Sequence, residues 1–284
     1  MSTFKTLYII GNGFDLSHGI PAGYPEFKTF CERTESYVPL FNQINECLTV
    51  LDSGWNNFEE ALGRQDISAL KKYIDRNHRL NRDYPIGIDY SLLDEAFRNW
   101  FVTINAKIIL DLENGNIKPR EDIDINSYFL TFNYTNTLEE MYNIPECQIC
   151  HIHRREFQDD PSKSYDDVNE RLIYGHGNYN VSVDPQVDVI TRQDYVETIN
   201  SYRKDFQYDT LKDWISKIGD ITQIVVFGHS MADIDLGYFE IVRDAFPDAD
   251  WIIYYYGNDD ADKDRKEVAC KKLGLPHAVL RKQE

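Results

Sequence analysis

No stretch of about eighteen apolar residues occurs in the chain, so no membrane-spanning helix is expected. Positive charge is also scarce. Lys and Arg number 30 against 48 Asp and Glu, a formal net charge of −18. That balance argues against a nucleic-acid backbone or an anionic membrane surface as the main partner. It leaves room for a small anionic ligand held locally by backbone N–H groups. Cysteine is sparse and odd in number: Cys31, Cys47, Cys147, Cys150 and Cys270 are scattered along the chain. The first ten residues hold one lysine and a short apolar run that ends at Gly11. They read as a strand and not as a secretion signal, so a cytoplasmic protein with free thiols is expected.

Apolar material is plentiful. Of 284 residues, 42% are hydrophobic and 13% aromatic. This is enough for a sizeable core in one domain, residues 1–284, carrying an insertion. Leu7-Tyr8-Ile9-Ile10 reads as a buried parallel strand. Pro25 to about Glu35 has helical spacing, and the region from about 40 to 118 reads as mostly helical. Its clearest stripe is Leu93, Phe97, Trp100, Phe101, Ile104 and Ile108. Further strands are expected at 127–132, 148–153, 172–174, 223–227 and 251–256. Helices are expected at about 191–218, 235–246 and 260–272, and a polar acidic loop at 156–169. The charge run 259–266 reads as the solvated start of the last helix. The alternation predicts an α/β fold with a Rossmann-like parallel sheet, helices on both faces, and a helical insertion at about 40–118.

Four stretches carry candidate chemistry. After the first strand comes Gly11-Asn12-Gly13-Phe14-Asp15. Glycines there let the backbone approach a phosphate, and helix N-terminal N–H groups can hold the anion. Leu16 stands where the usual third glycine of such a loop belongs; the next glycine is Gly19, followed by Ile20-Pro21. The second stretch, Thr131-Phe132-Asn133-Tyr134-Thr135, lies at a strand's carboxyl end, where ligands of parallel sheets bind. Its plainer reading is a strand-to-helix turn with an Asn or Thr cap.

The third stretch is Cys147-Gln148-Ile149-Cys150-His151-Ile152-His153. It admits a haem attachment pattern, which needs export, and a zinc site, which lacks a second cysteine pair. It also admits a strand whose His151 and His153 share one face, with an imidazole as general base. In the last reading the two cysteines are small apolar fillers, and no metal is expected. The fourth stretch, Phe227-Gly228-His229-Ser230-Met231-Ala232-Asp233-Ile234-Asp235, has two readings. One is a nucleophile elbow at Ser230, with Asp259 or Asp262 and His277 following in order. The other is a second ligand loop, with Gly228 and Ser230 at a ribose or phosphate. His176, between Gly175 and Gly177, is a minor candidate.

Taken in order, Gly11-Asn12-Gly13 with Gly19-Ile20-Pro21, then Thr131-Phe132-Asn133, His153 and Gly228-His229-Ser230, resemble the successive signatures of the sirtuins. The fuller form is similar to the AbiH abortive-infection family of phage-defence proteins. It combines Asn-Gly-Phe-Asp, Phe-Asn-Tyr-Thr and Phe-Gly-His-Ser followed by Asp. This resemblance implies a sirtuin-like nucleotide fold and defence by destruction of a cofactor. Asp15, Thr135 and Arg154 depart from the sirtuin pattern, and the zinc cysteine pairs are missing, which argues against protein deacylation.

The reaction that follows is hydrolysis of the nicotinamide–ribose bond of NAD. Asn133 would orient the ribose or the water, and His153, or else His151, would take the proton. The cofactor-binding residues expected are Gly11, Asn12, Gly13, Phe14, Asp15, Gly228, His229, Ser230 and Asp235. Asp15 or Asp235 would bond the ribose or stabilise developing positive charge. The expected partner is a small-molecule nucleotide, with a homo-oligomer or a phage-derived trigger left open. The rival functions are a Ser230 hydrolase and a non-catalytic nucleotide sensor.

Overall fold

The structure is a computed structural model that describes residues 5–48, 50–64, 88–154, 172–177, 196, 199–200, 202–257 and 260–283. In chain order its first elements are β1 (Thr6–Ile10), α1 (Asn12–Ser17), α2 (Tyr24–Arg33), α3 (Val38–Cys47), α4 (Phe58–Leu62) and α5 (Tyr90–Glu113). Then come β2 (Tyr128–Thr131), α6 (Thr137–Tyr142), β3 (Ile149–His151), α7 (Tyr208–Ile215) and β4 (Gln223–Phe227). The chain closes with α8 (Leu236–Ala245), β5 (Asp250–Tyr255), α9 (Ala261–Leu273) and β6 (Val279–Lys282).

The six strands form one sheet in the order β3-β2-β1-β4-β5-β6, and every neighbouring pair is parallel. The arrangement is Rossmann-like. The chain winds outward from β1 to β3, crosses back, and winds outward again from β4 to β6. Helices pack on both faces, as the right-handed crossovers usual between parallel strands require. One face buries Leu7, Ile9, Leu130, Ile224 and Val226 with Leu211 of α7, Phe239 of α8 and Leu273 of α9. On the other, Phe14 of α1 packs edge-on against Phe227 at 5.7 Å and lies beside Tyr142 of α6.

Register decides what emerges at the top of the sheet. Ile10 pairs with both Thr131 and Phe227, and Thr131 pairs with His151. The residues that follow β1, β2, β3 and β4 therefore leave the carboxyl edge at one level. The two windings diverge between β1 and β4, and a doubly wound sheet opens a crevice at such a switch point.

The chain divides into two compact units. One comprises 1–22, 102–170 and 206–284 and holds the whole sheet; the other comprises 23–101 and 171–205. The second unit begins at Gly23 and includes a later segment, and its end at Phe101 falls within α5. Its core is aromatic: Phe27 lies 5.1–6.0 Å from the rings of Trp55, Phe58, Phe97 and Trp100. All six residues of the expected helical stripe in α5 are buried.

Several expectations need correction. Residues 172–174 form no strand; His176 makes only an isolated bridge to Arg203. The helix expected over 191–218 is confined, among the described residues beyond 202, to α7, because 202–207 take a turn and a bridge instead. The last strand, β6, was not anticipated. The loop expected at 156–169 and residue Asp259 lie outside the described residues.

Candidate functional site

The two glycine turns meet each other. Gly13 N–H donates to Gly228 O at 2.8 Å, and Gly11 N–H donates to Phe227 O at 3.1 Å. A Cβ on Gly13 would stand 2.8 Å from Gly228 Cα, and one on Gly11 would stand 2.5 Å from His229 Cα. Gly228 has φ +67°, and a Cβ there would lie 2.1 Å from Phe14 N. These glycines first serve to let the two loops touch across the switch point. Since the N–H groups of Gly11, Gly13 and Phe14 already donate to protein carbonyls, the loop offers an anion fewer donors than its sequence promised. Phe14 is fully buried against Phe227 and Tyr142, so its ring is core rather than ligand contact. Asn12 is exposed.

Beside this junction lies a cavity of about 750 Å³. Gly13, Gly228, His229 and Ser230 form one wall. Leu16 and Tyr256 contribute apolar surface and are 49% and 73% exposed. The far wall is α9, which presents Asp262, Arg265 and Lys266. Arg265 Nη2 lies 3.1 Å from Asp262 Oδ1, and Lys266 Nζ lies 3.2 Å from Asp262 Oδ2. Asp262 Oδ2 also accepts the Tyr256 N–H at 2.9 Å. Lys266 is buried and also donates to the Tyr254 carbonyl, and burial lowers its pKa. Two cations thus stand against one carboxylate on this wall.

Arg265 and Lys266 escaped the sequence reading, and Asp262 entered it only as a candidate acid of the Ser230 elbow. The available signal was an acid followed at i+3 and i+4 by two bases, just beyond a strand. It had been assigned to a solvated charge run.

Asp15 is fully buried. It accepts hydrogen bonds from Thr135 Oγ1 and Thr137 Oγ1, each at 2.7 Å. Burial pushes its pKa up to about 6, while bonds from Thr137, Thr135 and Asn133 pull it down. It ties α1 to the turn after β2 and does not line the cavity. Asn133 belongs to the same cluster. Its side chain bonds Asp15, which must be through its amide N–H since the carboxylate accepts, and its Oδ1 is buried with no hydrogen-bond partner among the described residues. Buried acceptors are nearly always paired, so this one calls for an explanation.

The two histidines do not share surroundings. β3 stops at His151 and the chain turns through 152–153, so the alternation of a strand no longer applies. His151 Nε2 donates to Glu139 Oε1 of α6 at 2.8 Å. His153 Nδ1 donates to Phe132 O at 3.1 Å, which makes Nε2 the basic nitrogen of its neutral ring. Its ring packs against Phe132 at 5.1 Å, and His229 packs on the same phenyl at 4.2 Å. His229 Nδ1 accepts the Met231 N–H, so Nε2 carries the proton, 3.7 Å from Asp235 Oδ2. Asp235 faces His229 and does not line the cavity; neither do Asn133, His151 or His153.

The elbow reading fails on geometry. Gly228 and Met231 have positive φ, and Ser230 does not. Ser230 lies at the carboxyl edge, whereas His277 lines a cavity with Asp250 and Trp251 at the amino end of β5. Roughly a strand length, on the order of 15 Å, separates them.

Cys150 is buried in the core with Leu130 and Ile152, and burial raises its thiol to about 12. Cys147 is exposed and so is not the filler expected. The ring nitrogens of His176 face the carbonyls of Gly177 and Ile199, a structural tie within the second unit.

The family model described as "Bacteriophage abortive infection AbiH" matches residues 7–255. The chain belongs to the AbiH family. A search of curated proteins gives no match. The matched span runs from β1 to the end of β5, so the AbiH region includes both glycine turns, Asn133 and the paired histidines.

Proposed function

We propose that this AbiH-family phage-defence protein binds NAD or a related nucleotide along the carboxyl edge of its sheet and hydrolyses the nicotinamide–ribose bond. The observation that carries the reading is the cavity of about 750 Å³ at the switch point, walled by Gly13, Gly228 and Ser230. From β5 to β2 is three strand spacings, roughly 14 Å across the edge. That span suits a ligand of two nucleosides better than one.

In this reading the bare Oδ1 of Asn133 receives a ribose hydroxyl or the attacking water. Water adds to ribose C1′ as the C–N bond breaks. Its electron pair goes to the pyridinium ring, which leaves as neutral nicotinamide. The water's proton passes to His153 Nε2, with His151 as the other candidate.

Mass spectrometry of NAD turnover tests this. Asn133→Ala and His153→Ala should each lower cleavage, His153→Ala by roughly 100-fold or more. Both should remain folded and still bind ADP-ribose. If His151→Ala is inactive and His153→Ala is not, the base is His151.

A second reading has its own support. Asn133, His151 and His153 do not line the cavity, as in a sensor that binds nucleotide without cleaving it. Wild type that binds ADP-ribose yet leaves NAD intact with phage components supplied would decide for the sensor.

A further inference from the structure

We infer that the ligand of the switch-point cavity carries a phosphate ester on the ribose of its base-bearing half, as NADP does and NAD does not, and that Arg265 selects for it. This rests on the nucleotide reading above and specifies its substrate class.

The cavity presents three kinds of surface. Gly13 and Gly228 give a floor without side chains beside the switch point. Leu16 and Tyr256 are exposed apolar groups in the same cavity, suited to the faces of a base. Arg265 lines the same cavity and pairs with one oxygen of the Asp262 carboxylate, whose other oxygen accepts the Tyr256 N–H.

The floor at Gly13 and Gly228 has room for a pyrophosphate because it lacks side chains, although the Gly13 N–H is already bonded to the opposite loop. A cation displaced toward the base faces the ribose. The guanidinium side chain is 69% exposed, and among the described residues it pairs with Asp262. Asp262 is itself shared with Lys266 and the Tyr256 N–H. Arg265 is therefore held in position with donors left over. Its planar fork matches a phosphate monoester bidentately. On a chain of net charge −18, two cations facing one carboxylate in a cavity form a local exception that suits an anion.

Calorimetry on the full chain compares NADP with NAD, and 2′-phospho-ADP-ribose with ADP-ribose. The phosphorylated member of each pair should bind on the order of 10- to 100-fold more tightly. Arg265→Ala should remove that preference by weakening NADP binding on the order of 10-fold more than NAD binding, and Arg265→Lys should restore part of it. Because the side chain is largely exposed, neither change should disturb folding. Equal affinity of wild type for NAD and NADP overturns the inference while the nucleotide reading stands. So does an equal loss of both ligands in Arg265→Ala, which would place Arg265 at the pyrophosphate. Binding of neither ligand by wild type overturns the nucleotide reading itself.

Discussion

Asp15 shows how a residue picked out for ligand chemistry can serve the fold. Its carboxylate is fully buried and takes hydroxyls from Thr135 and Thr137. The pKa nonetheless rises to about 6, because burial outweighs those bonds. The folded state therefore holds this proton more tightly than the unfolded chain does. The resulting stabilisation is full below about pH 3.8 and is lost as pH rises through about 6. A rise of this size corresponds to about 3 kcal/mol. Asp15→Asn has no proton to lose. Urea unfolding of both proteins should show the variant gaining about 2 kcal/mol on wild type between pH 4 and pH 7. A difference that stays flat would mean that Asp15 ionises in the fold as readily as in the open chain.

Elements with strong local signals were legible in the sequence. β1 and β4 are continuous apolar runs that end in glycine, and the α5 stripe is unambiguous at helical period. β6 was missed because it is an edge strand in which exposed Arg281 and Lys282 follow only a few apolar residues. The separation of His151 from His153 was missed because period-two reasoning cannot know where a strand stops. The α9 wall of the cavity was missed because Arg265 and Lys266 look like any solvated helix start, and Asp262 drew notice only as an elbow acid, until the fold sets them in one cavity with Gly228.

The glycine turns were legible as turns, but what their glycines avoid was not. It is the opposite loop, so loss of ligand affinity on substituting Gly13 would not by itself locate a phosphate. Gly228→Ala meets Phe14 N and must also hold φ +67°, which should cost about 2–5 kcal/mol. Gly19 has φ +74° with nothing within 4 Å of a Cβ, so Gly19→Ala should cost only about 1–2 kcal/mol. Thermal or urea unfolding separates the two. Equal losses would show that backbone strain alone, and not the loop junction, sets the cost at Gly228.

At the scale of the whole molecule, charge and site oppose each other. The chain carries −18, while the cavity wall on α9 sets Arg265 and Lys266 against Asp262. The two fields differ in reach. Net charge acts across the Debye length, which is ~30 Å at 0.01 M salt and ~10 Å at 0.1 M. The guanidinium acts on contact. An anionic dinucleotide approaching from solution should meet repulsion first and attraction last. Raising salt from 10 to 150 mM should then increase the association rate, the reverse of what a basic nucleotide-binding protein shows. Dissociation should quicken as well, because the Arg265–phosphate contact is also screened. Stopped-flow binding of NADP reads both rates. Arg265→Ala should keep the rise in association with salt and lose the change in dissociation. An association rate that falls with salt in wild type would mean that the local cations govern the encounter. In that case the approach to the cavity is electropositive despite the acidity of the chain.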